Sequence, residues 1–194
     1  MALAHTILTV LCEKEASGYD ISKQFEESMA CYWTASQQQI YRELGRIEHN
    51  GWARCRVVPQ QGKPDRKVYA ITEAGRQELS QWAGEPTTPT PIREDLLVKV
   101  LGGPYADPRQ LLTEVQRRRA VHAGQLASYQ EKEALFLSHA ELPLQEQYRY
   151  LTLRRGILFE QEWIRWCDEV IAFLEAQQVS HDNLVEGRFR FDIL

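Results

Sequence analysis

Between Ser36 and His49 the chain gathers side chains that make flat, paired hydrogen bonds: the amides of Gln37 and Gln38, the guanidinium groups of Arg42 and Arg46, the phenol of Tyr41 and the imidazole of His49. Amides and guanidinium forks suit the edges of nucleic-acid bases, whereas cations and phenols suit phosphate oxygens. With Ile40 as the buried direction and a turn of about 100° per residue, Gln38, Arg42, Gly45 and His49 fall on the opposite side, flanked by Tyr41 and Arg46. Two readings fit this face. It enters a major groove with Gln38 and Arg42 at base edges and Tyr41 and Arg46 near phosphates, or it is an ordinary solvated helix surface.

The charge distribution bears on the choice. The whole chain carries −4, yet residues 36–67 hold Arg42, Arg46, Arg54, Arg56, Lys63, Arg66 and Lys67 against Glu43, Glu48 and Asp65, a local +4 that leaves −8 for the rest. A basic head on an acidic body is what a duplex-binding protein requires, because cations are needed only where phosphates are met. Lys63, Arg66 and Lys67 are either a charged hairpin tip or phosphate contacts.

Other chemistries lack their residues. His49 reads as a surface or phosphate-adjacent residue, and His5, His122, His139 and His181 show no close-paired ligand spacing, so no metal site is expected. Cys12, Cys31, Cys55 and Cys167 are scattered without a CxxC pair and read as reduced packing residues. There is no nucleophile elbow, Gly-rich phosphate loop or HExxH, so neither an enzyme nor a cofactor is expected. No apolar run reaches the roughly 18 residues of a membrane helix, and the opening residues lack a basic stretch and cleavage site, so a cytoplasmic protein off the membrane is expected.

These side chains need elements to carry them. Ala4, Ile7, Leu8 and Leu11 recur with the spacing of a helix over 2–13. Ser17-Gly-Tyr-Asp20 reads as a capping box opening a second helix to about Met29, with Ile21 and Phe25 inward. Ser36-Gln-Gln-Gln39 opens a third, 36–50, with Ile40, Leu44 and Ile47 inward and a stop at Asn50-Gly51. Residues 53–58 and 66–72 form a hairpin around Pro59–Asp65, and Thr72 caps a fourth helix to Ala83 bearing Leu79 and Trp82.

Pro86, Pro89 and Pro91 make 85–91 a semi-rigid connector between a domain over 1–84 and a helical one over 92–178. Helices are expected at 92–101, 108–138 and 143–178, with Pro91 and Pro108 at helix starts and Asp107 as a cap. On the last helix, Tyr150, Leu153, Ile157, Ile164, Cys167, Ile171 and Leu174 follow heptad spacing with Glu160 out of pattern, and Phe159, Trp163, Trp166, Val170 and Phe173 form a second apolar face. One face serves a helix of the same chain. The other calls for a second subunit. Trp33, Trp52, Trp163 and Trp166 either line a pocket for a small apolar or aromatic effector or belong to cores. Arg117-Arg-Arg119 is a solvated face or an ion-pair set. The tail 179–194, with Arg188-Phe-Arg-Phe191, reads as a short strand, a dimer arm or disorder.

Three stretches also resemble a known family: Gly18-Tyr-Asp-Ile-Ser22, the helix Gln39–Trp52, and Gly62-Lys-Pro-Asp-Arg-Lys-Val-Tyr-Ala-Ile-Thr-Glu-Ala-Gly-Arg76 are similar to PadR-type transcriptional regulators. The likeness covers residues 1–83 closely, and Leu96–Leu101 with the two long helices is similar to the virulence-activator-type C-terminal region of one PadR subgroup. The resemblance implies a mainly α fold, with an N-terminal winged helix-turn-helix (three helices, two-stranded wing, fourth helix) and a C-terminal long-helix dimerisation domain. It further implies a homodimeric, ligand-responsive repressor that binds double-stranded DNA at a palindromic operator, its heads one duplex turn apart, about 34–36 Å. The expected DNA contacts are Ser36, Gln37, Gln38, Tyr41, Arg42, Arg46, His49, Lys63, Arg66 and Lys67. The expected dimer contacts are Leu153, Ile157, Phe159, Trp163, Ile164, Trp166, Val170, Ile171, Phe173 and Leu174. The family usually has proline after the recognition-helix tyrosine, and Arg42 stands there here, which implies an altered sequence preference. The rival reading is a protein-interaction adaptor with no operator of its own, for which a basic head has no use.

Overall fold

A computed structural model describes residues 2–26, 33–60, 62 and 65–182, with side chains through residue 177. The chain divides into two compact units, Met1–Thr90 and Pro91–Leu194. The first runs α1 (Ala2–Glu13), β1 (Ala16–Ser17), α2 (Gly18–Gln24), α3 (Gln37–His49), β2 (Ala53–Val58), β3 (Arg66–Ile71) and α4 (Glu73–Ala83). On α1 the expected stripe of Ala4, Ile7, Leu8 and Leu11 is buried, and so are His5 and Val10, because α3, α4 and β3 all pack on this helix. Ile7, Leu8, Ile21, Ile40, Leu44 and Ile47 are fully enclosed, each contributing about 1.5–3 kcal/mol of burial.

The helix starts lie where side chains take up free amides. Ser17 Oγ accepts from the Asp20 amide at 3.3 Å while Asp20 Oδ2 accepts from the Ser17 amide at 2.9 Å. Ser36 and Gln39 repeat this reciprocal pair at α3, at 3.3 and 2.8 Å. Thr72 Oγ1 accepts from the Gly75 amide at 3.1 Å and donates to the Gly51 carbonyl at 2.7 Å, tying the start of α4 to the turn after α3. Gly51 makes that turn at φ 72°, a conformation other residues rarely adopt.

The sheet has the order β1-β3-β2, antiparallel throughout. The expected hairpin forms, with Ala53 opposite Ile71 and Val58 opposite Arg66, and β3 ends at Ile71 because Thr72 caps α4. Strand β1 adds Ala16 opposite Tyr69 and Ser17 opposite Val68, which fastens the hairpin to the start of α2. The end expected for α2 near Met29, and Cys31, lie outside the described residues.

The second unit holds α5 (Asp95–Leu101), a 3-10 turn (Gly103–Tyr105), α6 (Pro108–Leu137) and α7 (Leu144–Asp182). The start expected at residue 92 is corrected: Glu94 caps α5, accepting from the Leu96 amide at 3.1 Å, so Pro91 and Ile92 precede the helix. Asp107 caps α6 with Pro108 in its first turn, as expected. Cross-links join Arg119 to Asp168, His122 to Glu160 and Glu133 to Arg154, so α6 and α7 run antiparallel. Leu96, Leu111, Val115, Cys167 and Leu174 form the core of this unit. Of the tail, 179–182 continue α7; residues 183–194, with the Arg188–Phe191 alternation, lie outside the described residues. Among the described residues no helix is long and apolar enough to cross a membrane.

Candidate nucleic-acid interface

Helix α3 presents the face its sequence implies. Ile40, Leu44 and Ile47 are fully buried, while Gln37, Gln38, Tyr41, Arg42, Gly45, Arg46 and His49 are exposed. The first turn of α3 carries no acid, so the positive end of its dipole is uncompensated and suited to an anion. Ser36 and Gln39 are engaged in the cap, which leaves Gln37 and Gln38 as the amides at this end. The Tyr41 ring lies over Gly18 at the start of α2: a Cβ added at Gly18 would lie 2.5 Å from Cε1 of the ring. Glycine at 18 therefore lets α2 and α3 approach and fixes the phenol.

The cations of this head fall into two groups. Arg46 Nη1 donates to Glu43 Oε2 at 3.2 Å, Arg56 Nη2 to Glu15 Oε2 at 2.9 Å with Arg54 3.9 Å from the same carboxylate, and Arg66 Nη2 to Asp20 Oδ2. Arg42 and Lys67 make no ion pair among the described residues and are exposed. Lys63 lies outside the described residues. Arg66 and Lys67 are successive on β3 and so point to opposite faces of the hairpin, Arg66 toward Asp20. Burial pushes the Asp20 carboxyl up, but the Ser17 amide and hydroxyl together with Arg66 outweigh it and hold the group below the usual carboxylate range. Glu15 and Asp20 are not legible in the sequence as partners of these arginines, because they lie 41 and 46 residues from Arg56 and Arg66, whereas Glu43 is one helical turn from Arg46.

The tryptophans sit in two places. Trp33 and Trp52 pack against the core of the first unit. In the second, Trp163 stacks on His122 with ring centroids 5.0 Å apart, and Trp166 meets Trp163 edge-on at 5.4 Å. Glu160, out of the heptad pattern, pairs with His122 Nδ1 at 2.5 Å, both nearly buried, while His122 Nε2 has no hydrogen-bond partner. A groove of about 510 Å³ on α6 and α7 is lined by Leu126, Gln161, Ile164, Arg165, Asp168, Glu169 and Ala172, and none of the four tryptophans lines it.

Along α7, Leu153, Ile157 and Leu174 are buried within the chain, Trp163, Ile164, Trp166, Val170 and Ile171 are half-buried, and Phe159 and Phe173 are 45% and 44% exposed. Arg117, Arg118 and Arg119 are all paired, with Glu114, Glu94 and Asp168. Arg117 and Glu114 form a helical i, i+3 pair; the arginine hydrogen bond pulls the Glu114 carboxyl down to about 2. Among the described residues no cluster of His, Cys, Asp or Glu is arranged to hold a metal.

A helical cluster that exposes one face of its third helix, followed by a two-stranded hairpin, is a winged helix-turn-helix. Residues 7–81 match the Transcriptional regulator PadR-like family, and residues 92–175 match Virulence activator alpha C-term. The chain is 41% identical to the probable transcriptional regulator Rv1176c of Mycobacterium tuberculosis, over 92% of this chain and 100% of that one. The Vibrio cholerae virulence activator AphA is similar in structure, with a TM-score of 0.75 and 36% identity over 90% of this chain and 99% of that one. Bacillus subtilis PadR, solved in complex with operator DNA, shares the fold with a TM-score of 0.79 and 24% identity over 89% of this chain and 97% of that one. The chain belongs to the PadR-like family of transcriptional regulators, with the virulence-activator-type C-terminal region, and is a regulator and not an enzyme.

Proposed function

We propose that this protein is a cytoplasmic, homodimeric, ligand-responsive repressor that binds a palindromic operator. The observation that carries the reading is the exposed face of α3: Gln38 and Arg42 stand outward, Arg42 free of any acidic partner, at a helix start without acids. Residues 1–84 are the reading head, 85–91 the connector and 92–178 the dimerisation domain. Arg42 and Gln38 read base edges, while Ser36, Gln37, Tyr41, Arg46, His49, Lys63, Arg66 and Lys67 serve phosphates and register. The related Bacillus subtilis PadR is described as a negative transcriptional regulator, and its structure is known with operator DNA and with p-coumaric acid, which supports both the duplex and a small aromatic effector. For the effector, Trp163 and Trp166, which meet edge-on, are the aromatic pair that would wall a site; all four tryptophans are half-buried against their unit's core. A ligand alters DNA binding only if it favours one head spacing over another.

Titration of DNA from upstream of the protein's own gene, at two salt concentrations, tests this reading. Arg42→Ala should weaken specific binding by about 1–3 kcal/mol. Lys67→Ala should weaken all sequences alike and flatten the salt dependence by about one phosphate. Unchanged affinity in both variants rules out the reading head; no salt-dependent binding at all favours an adaptor.

A further inference from the structure

The wing cation Arg66 is not presented freely. Its Nη2 donates to Asp20 Oδ2, and the same oxygen accepts the Ser17 amide at 2.9 Å and the Ser17 hydroxyl at 2.8 Å. Asp20 thus closes the capping box of α2 and holds the first residue of β3. The pairing of Ser17 with Val68 anchors the two partners from the backbone side. Both side chains remain accessible, 43% for Arg66 and 37% for Asp20, so a phosphate approaching the wing meets a guanidinium already engaged and a carboxylate that repels it.

From this geometry we infer that Asp20 is a specificity-setting residue. Its carboxylate competes with backbone phosphate for Arg66, lowers affinity for duplex of any sequence, and leaves selection to the face of α3. The inference rests on the DNA-binding reading above. Phosphate contacts supply essentially all non-specific affinity, so a carboxylate that occupies one cation subtracts from the non-specific complex first. In a specific complex, base contacts from α3 hold the wing against the duplex and can offset the loss of the pair.

The experiment uses the full-length protein and a random-sequence duplex, with binding followed by fluorescence anisotropy across a salt series. Asp20→Asn keeps an oxygen for the Ser17 amide and removes the charge. It should bind random duplex about 3- to 10-fold more tightly near 0.1 M salt, with the slope of log affinity against log salt steeper by about 0.9. The gain should vanish in the Asp20→Asn, Arg66→Gln double variant, because it acts through Arg66. Ser17→Ala, which loses the cap and keeps the charge, should lower Tm without any gain in affinity. If wild type binds random duplex with the usual salt dependence and Asp20→Asn binds no more tightly, or gains equally without Arg66, Asp20 is only a helix cap and the inference is overturned. If neither protein binds duplex at low salt, the DNA-binding reading itself falls, and this inference with it.

Discussion

Gly75 sits so close to the Trp52 carbonyl that a Cβ added there would lie 2.1 Å from the oxygen. The approach exists because Thr72 both hydrogen-bonds Trp52, through its amide at 3.0 Å, and caps α4. Backbone atoms cannot swing aside as a flexible side chain can, so Gly75→Ala should destabilise the first unit by about 1–3 kcal/mol. A thermal melt followed by circular dichroism checks this, and a Tm at the wild-type value would refute the packing. Asp20 makes a second prediction at this scale. Its folded pKa lies below the unfolded value of 3.8, so its contribution is fully present above that pH and is lost as pH falls through the folded value. Denaturant midpoints measured from pH 5 downward should decline more steeply in wild type than in Asp20→Asn; parallel curves would show that the carboxylate does not stabilise the fold.

Helix α3 owes its place to a buried stripe and to a cap that is complete in both directions, Ser36 to Gln39 and Gln39 to Ser36. Losing the Ser36 hydroxyl should cost about 1 kcal/mol of stability, with weaker DNA binding as the reading helix frays; Ser36→Asp should restore stability, yet repel phosphate. A chemical melt and an anisotropy titration on the same samples separate the two effects. Features of this kind are legible in a sequence because they are local: caps, the α1 stripe and the hairpin are each written within a few residues. Strand β1 is not, since two residues have no period and Ala16-Ser17 becomes a strand only because β3 passes beside it. The start of α5 is likewise set from outside its own stretch: Pro91 permits a helix, but Glu94 takes the amide of Leu96 and the guanidinium of Arg118 from α6. Glu160 breaks its heptad because His122, 38 residues earlier, supplies the partner. In the candidate site the exposed face is readable from helical period alone and Glu43 lies one turn from Arg46, whereas the pairing of Arg54, Arg56 and Arg66 depends on Glu15 and Asp20, which only the tertiary fold brings near.

For the molecule as a whole, the outer surface of α7 matters most to the proposed dimer. Leu151, Leu158, Phe159 and Phe173 are 64%, 47%, 45% and 44% exposed although the same helix buries Leu153, Ile157, Cys167 and Leu174 against its own chain. Water against two phenylalanines and two leucines is unfavourable, and a second copy covering them removes that cost while joining two heads. Joining matters because the second head then binds at an effective concentration near the millimolar range, which raises overall affinity by about 10²–10⁴ without a new contact to DNA. Phe173→Glu places a charge in the proposed contact while sparing the buried stripe. It should shift the protein to monomer in light scattering, lower affinity for a two-half-site operator at least about 100-fold, and leave affinity for a single half-site unchanged. A variant that stays dimeric would remove Phe173 from the contact. A monomer that still binds the full operator as wild type does would show that one head suffices, and the dimer would then have no part in recognition.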